Sequence, residues 1–238
     1  MDTTISNNEN NDVETSNKDI TEQVSQEENE TKEEITKTRK DLHMPRRIFH
    51  FSMGLIAGMI YKHFLTHAQA VHILGIATCV FYILEQIRIN YPENRLMKLG
   101  SRYLLRAEEQ LKESASMPYL MGLLLTILTF PKTITLVAVF TLAVCDPLSA
   151  IIGIRFGKTK LKDNRSLEGT LAFLIATLAI HLMVLLSVYE FNVRIALVTI
   201  FSSLVVTAVD FMDFKIDDNL TIPLSTAGAL WLFMAIFL

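Results

Sequence analysis

LAFLIATLAIHLMVLLSV, residues 171–188, holds a single ionisable side chain, His181, in eighteen consecutive positions. A helix of a soluble bundle shows a polar face that recurs every 3.6 residues, and this stretch shows almost none. A helix needs about 17 to 25 mainly apolar residues to cross the hydrocarbon core of a bilayer. The stretch therefore predicts a membrane-spanning helix and argues against a soluble helical bundle.

Six further apolar runs lie between residue 48 and the end of the chain. The seven predicted spans are residues 48–65, 68–87, 117–131, 133–154, 167–188, 193–212 and 220–238. The third run, MPYLMGLLLTILTFP, is short and ends at Pro131, so it forms either a half-span or a tight hairpin with the fourth run. We predict an all-α fold, a polytopic transmembrane helical bundle of about seven spans.

The segment before these runs has a different composition. Half of the 238 residues are hydrophobic, yet residues 1–41 contain 12 Asp and Glu against 5 Lys and Arg, a net charge of −7, with only scattered apolar residues. Such a segment cannot bury enough surface to offset the entropy of ordering. We expect a disordered acidic cytoplasmic tail at 1–41 and a transmembrane domain at 42–238.

The distribution of basic residues predicts the orientation of the spans. With seven spans and a cytoplasmic N-terminus, 16 Lys and Arg fall on cytoplasmic segments, and Lys62, Lys132 and Arg194 fall on the other side. Short loops rich in Lys and Arg remain in the cytoplasm. Each polar cluster then lies at the cytoplasmic face: PRRIFH, EQIR, CDPLSAIIGIRFGKTK, RSLEG and DFKIDDN.

These clusters combine acids at the apolar boundary with a row of cations. Ionisable residues at membrane depth usually pair or serve a function, and Asp146, Glu85 and Glu168 are the candidates. Pro147 removes a backbone hydrogen bond and bends or opens the helix beside Asp146. Five cations in residues 155–165 suit a polyanion, while carboxylates suit a hard divalent cation. A metal-bound nucleoside triphosphate and phosphoryl transfer to a hydroxyl from the bilayer satisfy both demands.

Several of these features, taken singly, also fit structural roles. GIRFGK has three residues between its glycines, which excludes an ordinary P-loop, and the Gly153 and Gly157 pair also suits close helix packing. The cation row also suits a positive anchor on anionic lipid. One of Asp217 and Asp218 is explained by helix capping.

His181 fits an interhelical hydrogen bond, and the cysteines at 79 and 145 lack the spacing of a zinc site. A non-catalytic transporter, a lipid-binding protein and a helical scaffold recruited through its tail remain alternatives of another class. Repeated halves are typical of transporters, and this sequence has none.

Four segments together carry a resemblance to a known family. EQIRINYPENRLMKLG and LAVCDPLSAIIGIRFGKTKLKDNRSLEGTLAF, with RRIFH before them and DDNLTIPL after them, resemble the CTP-dependent lipid kinases, which include fungal diacylglycerol kinase, dolichol kinase and phytol kinase. The resemblance runs from about Arg46 to the C-terminus. It implies an integral membrane enzyme, typically of the endoplasmic reticulum, that moves the γ-phosphate of CTP to a lipid alcohol with Mg²⁺ or another divalent cation.

The resemblance also assigns residues by position. The Arg-Lys pair of the family corresponds to Arg46 and Arg47, its aspartate to Asp146 and the following glycine to Gly153. This chain departs from the family pattern at two positions. Arg47 replaces the usual lysine, and a guanidinium fork is not equivalent to the point charge of lysine. Cys145 replaces the usual glycine before the aspartate, and its side chain narrows the approach to a phosphate.

We expect three groups of site residues. The catalytic residues are Asp146, Arg46, Arg47 and Asp218, of which Asp218 (or Asp217) orients the lipid hydroxyl; Asp146 and Glu168 hold the metal; and Gly153, Gly157, Arg155, Lys158, Ser166 and Gly169 bind the nucleotide. The compact organisation of the chain and its DDNLTIPL segment resemble fungal diacylglycerol kinase more than dolichol kinase. This resemblance implies diacylglycerol as the acceptor, giving phosphatidate, with dolichol or another polyprenol, or phytol, as the alternative. The expected partners are CTP, the lipid alcohol and membrane lipid, with no nucleic acid.

Overall fold

The computed structural model describes residues 47, 48, 50–91, 116–162, 165–212 and 216–238. These residues belong to one compact unit, Arg47–Leu238. The tail predicted at 1–41 lies outside the described residues, and so does Arg46.

Helices account for almost all of the described chain. We label the helix at residues 47–48 and 50–63 as α1, and the others as α2 (His67–Asn90), α3 (Ser116–Thr129), α4 (Lys132–Phe140), α5 (Asp146–Phe156), α6 (Leu167–Leu186), α7 (Val193–Met212) and α8 (Asp218–Phe237). A π-helical segment, Thr141–Cys145, joins α4 to α5. Two short antiparallel strands, β1 (Lys160–Lys162) and β2 (Arg165–Ser166), lie between α5 and α6, and we call this pair of strands the hairpin. Each predicted apolar run coincides with a helix, which confirms the all-α fold class.

Five helical segments of the described chain are long and apolar enough to cross a membrane: α2, the continuous rod Lys132–Phe156, α6, α7 and α8. α3 is shorter, at 14 residues, as predicted for the run that ends at Pro131. Pro131 is the N-cap of α4, so the chain turns tightly between α3 and α4. The count of seven spans and the direction of insertion stay predictions.

The rod Lys132–Phe156 runs through the centre of the bundle. Val137 and Ala138 have no exposed surface, and they pack in one cluster with Ile195 and Val198 of α7 and Leu230 of α8. A fully buried aliphatic side chain contributes about 1.5 to 3 kcal/mol relative to water. In a bilayer, where lipid is equally apolar, close packing replaces that driving force.

Glycine permits the closest helix contacts. A Cβ on Gly54 of α1 would lie 2.5 Å from the Cβ of Ala143, and a Cβ on Gly122 of α3 would overlap the carbonyl oxygen of Asn219 in α8. Pro223, one turn further along α8, carries no N–H to donate to that carbonyl. Gly122 therefore lets α3 lie directly against the first turn of α8, which begins at Asp218.

The π-helical segment lies immediately before Asp146 and Pro147. The proline ring cannot donate a hydrogen bond and clashes with the carbonyl four residues earlier, so a regular α-helix cannot continue through it without adjustment. A single π-helical turn is one such adjustment, and such turns are frequent at functional sites. Pro147 was predicted to bend or open the helix beside Asp146, and the structure shows a π-helical turn at that place.

Polar groups at the far end of the rod, where Lys132 lies, complete helix termini. Nζ of Lys132 donates to the carbonyl oxygens of Lys62 at 3.2 Å and Leu65 at 2.7 Å, at the end of α1. Thr66 and Gln69 form a capping box at the start of α2. These bonds satisfy backbone groups that helix ends leave open.

Candidate active site

An arginine joins two aspartates from different helices at one end of the bundle. Nη1 of Arg165, in β2, donates to both carboxylate oxygens of Asp210 in α7, at 2.8 and 2.7 Å. Its Nη2 donates to Oδ2 of Asp218 at 3.1 Å. The planar guanidinium can serve two carboxylates at once because its donors point in fixed, different directions.

Asp146 completes the cluster of carboxylates. One oxygen from each of Asp146, Asp210 and Asp218 lies within 4.8 Å of the others. The charges of Arg47 and Arg165 both act on the Asp146 carboxylate, so the start of α1, the hairpin and the central rod meet at the same place. Among the described residues, this is the group of metal-ligating side chains that the fold brings together.

The three aspartates differ in their access to a ligand. The side chain of Asp210 is 1% exposed, and Arg165 occupies both of its oxygens. The side chain of Asp218 is 38% exposed, and Asp146 is half-buried. Asp210 therefore holds Arg165 in place, whereas Asp146 and Asp218 present their carboxylates where a ligand can approach.

Arg165 carries a permanent positive charge here. Burial alone would lower the pKa of its guanidinium, but the carboxylates of Asp210 and Asp218 outweigh burial and raise the pKa above its usual value. The guanidinium is thus a fixed charge placed beside the carboxylates, and it can act on a phosphate as well.

Local contacts of the hairpin explain how Arg165 reaches the aspartates. The backbone N–H of Leu167 donates to the carbonyl of Thr159 at 2.9 Å. The hydroxyl of Ser166 caps α6 by accepting from the N–H of Gly169 at 3.1 Å. A Cβ on Gly169 would lie 3.0 Å from the carbonyl oxygen of Ser149 in α5. This tight crossing of α5 and α6 holds Ser166 and the start of α6 against the central rod.

The same crossing accounts for the glycine pair. A Cβ on Gly153 would lie 3.1 Å from Oγ of Ser166, and a Cβ on Gly157 would lie 2.7 Å from the same oxygen. Packing between α5 and the hairpin, the alternative raised by the small-residue spacing, explains both glycines. Nucleotide binding at Gly153, Gly157, Ser166 and Gly169 stays a prediction.

Metal binding by Glu168 together with Asp146 stays a prediction. Glu168 lies outside the group formed by Asp146, Asp210 and Asp218, and its carboxylate accepts from the N–H of Thr159 at 3.2 Å. An acid in the first turn of a helix is also favoured by the helix dipole. Glu168 thus ties the start of α6 to the hairpin.

The other predicted residues differ in their exposure and in their partners. Arg155 and Lys158 are exposed at the end of α5, and Arg47 is half-buried at the start of α1. Glu85 forms a buried pair with Arg88, whose Nε and Nη2 donate to it at 2.9 and 2.6 Å. Arg46 belongs to the chain outside the described residues.

Helix capping and interhelical bonding are found where the sequence predicts them. The side chain of Asp217 accepts from the N–H of Asn219 at 2.9 Å and caps α8. Nδ1 of His181 lies 2.9 Å from Oγ of Ser202 in α7. Asp217 therefore has a structural role, and Asp218 is the acid that joins the cluster.

Sequence reasoning misses two members of the cluster as site residues. Asp210 is one acid in the apolar run that ends at Met212, which is itself a signal of function at membrane depth. Arg165 stands in the sequence as one of a row of cations. Its specific partners are 45 and 53 positions away along the chain.

The donor set suits a hard divalent cation. Carboxylate oxygens are the ligands that Mg²⁺ prefers, usually one or two of them together with substrate phosphates. Asp146 and Asp218 supply such oxygens within reach of one another. The neighbouring guanidinium of Arg165 prevents three negative charges from facing each other without compensation.

Known proteins resemble this chain over most of its length. A CTP-dependent diacylglycerol kinase 1 of Saccharomyces cerevisiae is 31% identical over 132 residues, which are 54% of this chain and 46% of that protein. A CTP-dependent diacylglycerol kinase 1 of Schizosaccharomyces pombe is 25% identical over 82% of this chain and 95% of that protein. An uncharacterised protein of Rickettsia prowazekii is 30% identical over 78% of this chain and 91% of that protein.

The matched part is thus less than half of the Saccharomyces relative, but nearly all of the other two. No family model and no solved structure matches the chain. Both named relatives are CTP-dependent diacylglycerol kinases, and the membrane helices and the Asp and Arg cluster agree with that chemistry. The similarity to these two kinases supports membership of the chain in the CTP-dependent lipid kinase family.

Proposed function

We propose that this protein is a CTP-dependent diacylglycerol kinase that forms phosphatidate at the cytoplasmic face of a membrane, the endoplasmic reticulum in a eukaryotic cell. The observation that carries the proposal is the cluster of Asp146, Asp218 and Arg165 at one end of apolar helices. The names of the two kinase relatives support CTP as donor and diacylglycerol as acceptor.

The reaction couples two changes at the γ-phosphorus. The bond between this phosphorus and the β–γ bridging oxygen breaks, and CDP leaves with the electron pair. The primary hydroxyl oxygen of diacylglycerol forms the new bond to phosphorus, and its proton is released. Such transfers depend mainly on positioning and on neutralising charge, because the protein has little covalent chemistry to perform.

Each residue of the cluster contributes to one of these two tasks. Asp146 and Asp218 hold the divalent cation, and Asp210 orients Arg165 through its two bonds. Arg165 and Arg47 neutralise charge on the transferring phosphate, and the exposed cations Arg155 and Lys158 attract the remainder of the triphosphate. When bound, the cation supplies charge neutralisation on the phosphate oxygens.

The lipid hydroxyl enters from the bilayer side of the cluster. Diacylglycerol keeps its acyl chains in the hydrocarbon region and its hydroxyl at the interface, where the ends of α7 and α8 carry Asp210 and Asp218. The carboxylate of Asp218 is more than a third exposed, and it can accept a hydrogen bond from that hydroxyl. The proton of the hydroxyl then leaves toward water at the same face.

A transfer assay with several acceptors tests the proposal. The purified full chain in mixed micelles receives γ-labelled CTP, Mg²⁺ and diacylglycerol, dolichol or phytol, with γ-labelled ATP as the donor control. We expect label in phosphatidate, dependence on Mg²⁺, and much weaker transfer from ATP.

Two results would contradict the proposal in different ways. Label on dolichol or phytol alone would replace the acceptor and leave the kinase reaction in place. Absence of transfer to all three alcohols by protein that binds CTP would remove the catalytic proposal. The Asp146→Asn variant, purified in the same way, measures background transfer.

A further inference from the structure

Two glycines of α1 lie where this helix touches the central rod. Gly54 and Gly58 are four residues apart and share one face of α1. A Cβ on Gly54 would lie 2.5 Å from the Cβ of Ala143, and a Cβ on Gly58 would lie 2.6 Å from the ring of Phe140. Both distances are shorter than Cβ atoms reach in proteins. The backbone of α1 therefore lies directly against the rod, as small residues at this spacing allow in membrane helices.

The partners of the two glycines show that α1 and the rod run in opposite directions. The later glycine contacts the earlier residue of the rod, Phe140. Further along α1, the carbonyl oxygen of Lys62 accepts from Nζ of Lys132, the first residue of the rod. The beginning of α1 therefore lies beside the second half of the rod, which contains Asp146.

Arg47 shares the face of α1 that touches the rod. It precedes Gly54 by seven residues, about two turns, so both residues lie on the same side of the helix. On the rod, Asp146 follows Ala143 by three residues, about one turn. The charge of Arg47 acts on the Asp146 carboxylate, in agreement with this register. The contact at Gly54 thus determines how far the backbone of Arg47 lies from the rod.

A third helix contacts α1 at the same position. The hydroxyl oxygen of Tyr119, in α3, would lie 2.9 Å from a Cβ on Gly54. The ring of Tyr119 meets the ring of His50 edge-on, with centroids 5.1 Å apart, and His50 precedes Gly54 by one turn of α1. A side chain at position 54 would therefore meet both the rod and α3.

We propose that Gly54 is a positioning residue of the candidate active site, because its lack of a side chain seats α1 against Ala143 and so brings Arg47 to Asp146. The Cβ of Ala143 is fixed to the backbone of the rod, so no rotation of a side chain can make room for an alanine at 54. The two helices would have to separate by about 1 Å, from 2.5 Å to the 3.4 Å at which ordinary contact begins. The neighbour of Gly58 is an aromatic ring, which can tilt, so Gly58 supports the seat less strictly.

The effect of this seat on the rate rests on the proposed kinase reaction, whereas its effect on the distance between Arg47 and Asp146 does not. A displacement of about 1 Å away from the reacting atoms can cost about 10²-fold in rate. In the transfer assay with diacylglycerol, we expect Gly54→Ala to lower the rate per folded molecule by about 10- to 100-fold. Gly228→Ala is the matched control, since a Cβ there meets nothing within 4 Å, and it should keep the rate of the unchanged chain.

A compensating variant separates positioning from stability. Gly54→Ala with Ala143→Gly moves one methyl group from the rod to α1 and leaves the Cα of residue 143 as the nearest atom of the rod, at 3.4 Å. We expect this double variant to recover most of the rate per folded molecule. A glycine that only stabilises the fold would change the Tm and leave that rate as it is. A rate in Gly54→Ala equal to that of Gly228→Ala, or no recovery in the double variant, would overturn the proposal.

The coupling between Arg47 and Asp146 provides a measurement that needs no transfer. The Tm values of Arg47→Met, Asp146→Asn and the variant with both changes give the coupling between the two side chains. We expect the two shifts in Tm to be non-additive in the chain with Gly54 and additive once Gly54→Ala is present. Coupling that persists unchanged with Gly54→Ala, or none in either chain, would overturn the proposal. If the chain transfers phosphate to no alcohol, the kinase proposal fails, and this comparison still decides whether Gly54 sets the position of Arg47.

Discussion

The two ends of the bundle use similar polar side chains in opposite ways. At the far end, Lys132 donates to the backbone carbonyls of Lys62 and Leu65, and its charge is used to complete a helix. At the near end, where the aspartates cluster, Arg165 donates to the side chains of Asp210 and Asp218. Polar groups that serve the backbone maintain the fold, whereas charged side chains that face each other form a surface for a ligand. The partner of a charged residue therefore indicates a ligand site better than its position at a membrane boundary does.

The largest expected effect comes from removing the charge of Asp146. Asp146→Asn should lower the rate of labelled phosphate transfer by about 10²- to 10³-fold, the usual loss when one charged group of a preorganised site is removed. Initial rates in mixed micelles measure the effect.

Asp217→Asn is the matched control for this variant. Asp217 lies at the same end, but it caps α8, and asparagine caps equally well. Equal transfer rates in Asp146→Asn and Asp217→Asn would mean that Asp146 does not hold the metal. The near end would then not differ from the far end as a ligand site.

Removing Arg165 tests how far the near end also depends on its ion pairs for stability. Arg165→Met leaves the carboxylate of Asp210 buried without its main partner, and we expect the free energy of unfolding to fall by about 3 to 5 kcal/mol. Chemical unfolding in detergent measures the loss.

The double variant separates stability from activity. Arg165→Met with Asp210→Leu replaces the pair by apolar groups and should recover most of the lost stability, but not the activity. If the double variant is no more stable than the single one, the pair is not the cause of the loss.

Glu168 and Asp218 should behave differently although both lie at the near end. Asp218→Asn should lower the transfer rate by about 10²-fold, whereas Glu168→Gln should change it by about fivefold at most, since an exposed hydrogen bond contributes about 1 kcal/mol or less. Glutamine still accepts from the N–H of Thr159. Titration of the Mg²⁺ dependence in both variants measures metal affinity, and a weaker affinity in Glu168→Gln alone would give the metal role to Glu168.

The smallest effect on activity is expected at the far end. Lys132→Met should lower the free energy of unfolding by about 1.5 kcal/mol, because two carbonyls lose a charged donor, and should leave the rate per folded molecule unchanged. Lys132→Arg keeps the donors and serves as the control. A selective loss of rate in Lys132→Met would show that the two ends are coupled.

The helices were predictable from sequence because length and apolar composition alone determine which segments can lie in a bilayer. The runs at 167–188 and 193–212 differ from α6 and α7 by two residues at most. The place of Asp146 in a cluster of ionisable side chains was predictable for a similar reason, since an acid in an apolar run usually pairs with other polar groups or serves a function.

The partners within the site were not predictable in the same way. Whether Arg165 pairs with Asp210, Asp218 or a phosphate depends on how α7 and α8 pack beside the hairpin. The order of residues along the chain does not give these distances in space. Glu168 shows the same limit. An acid in the first turn of a helix can serve locally through the helix dipole and nearby N–H groups, and the sequence does not show whether its carboxylate also reaches a metal beside Asp146.

The π-helical turn at Thr141–Cys145 limits how this chain tolerates insertions and deletions. Such a turn contains one residue more than the α-helical turn it replaces. It absorbs that residue without rotating the helix that follows, whereas one residue added to or lost from a regular α-helix rotates every following side chain by about 100°. A change of one residue in the regular part of the rod would therefore turn the Asp146 carboxylate away from Asp210 and Asp218 while leaving hydropathy and span length almost untouched.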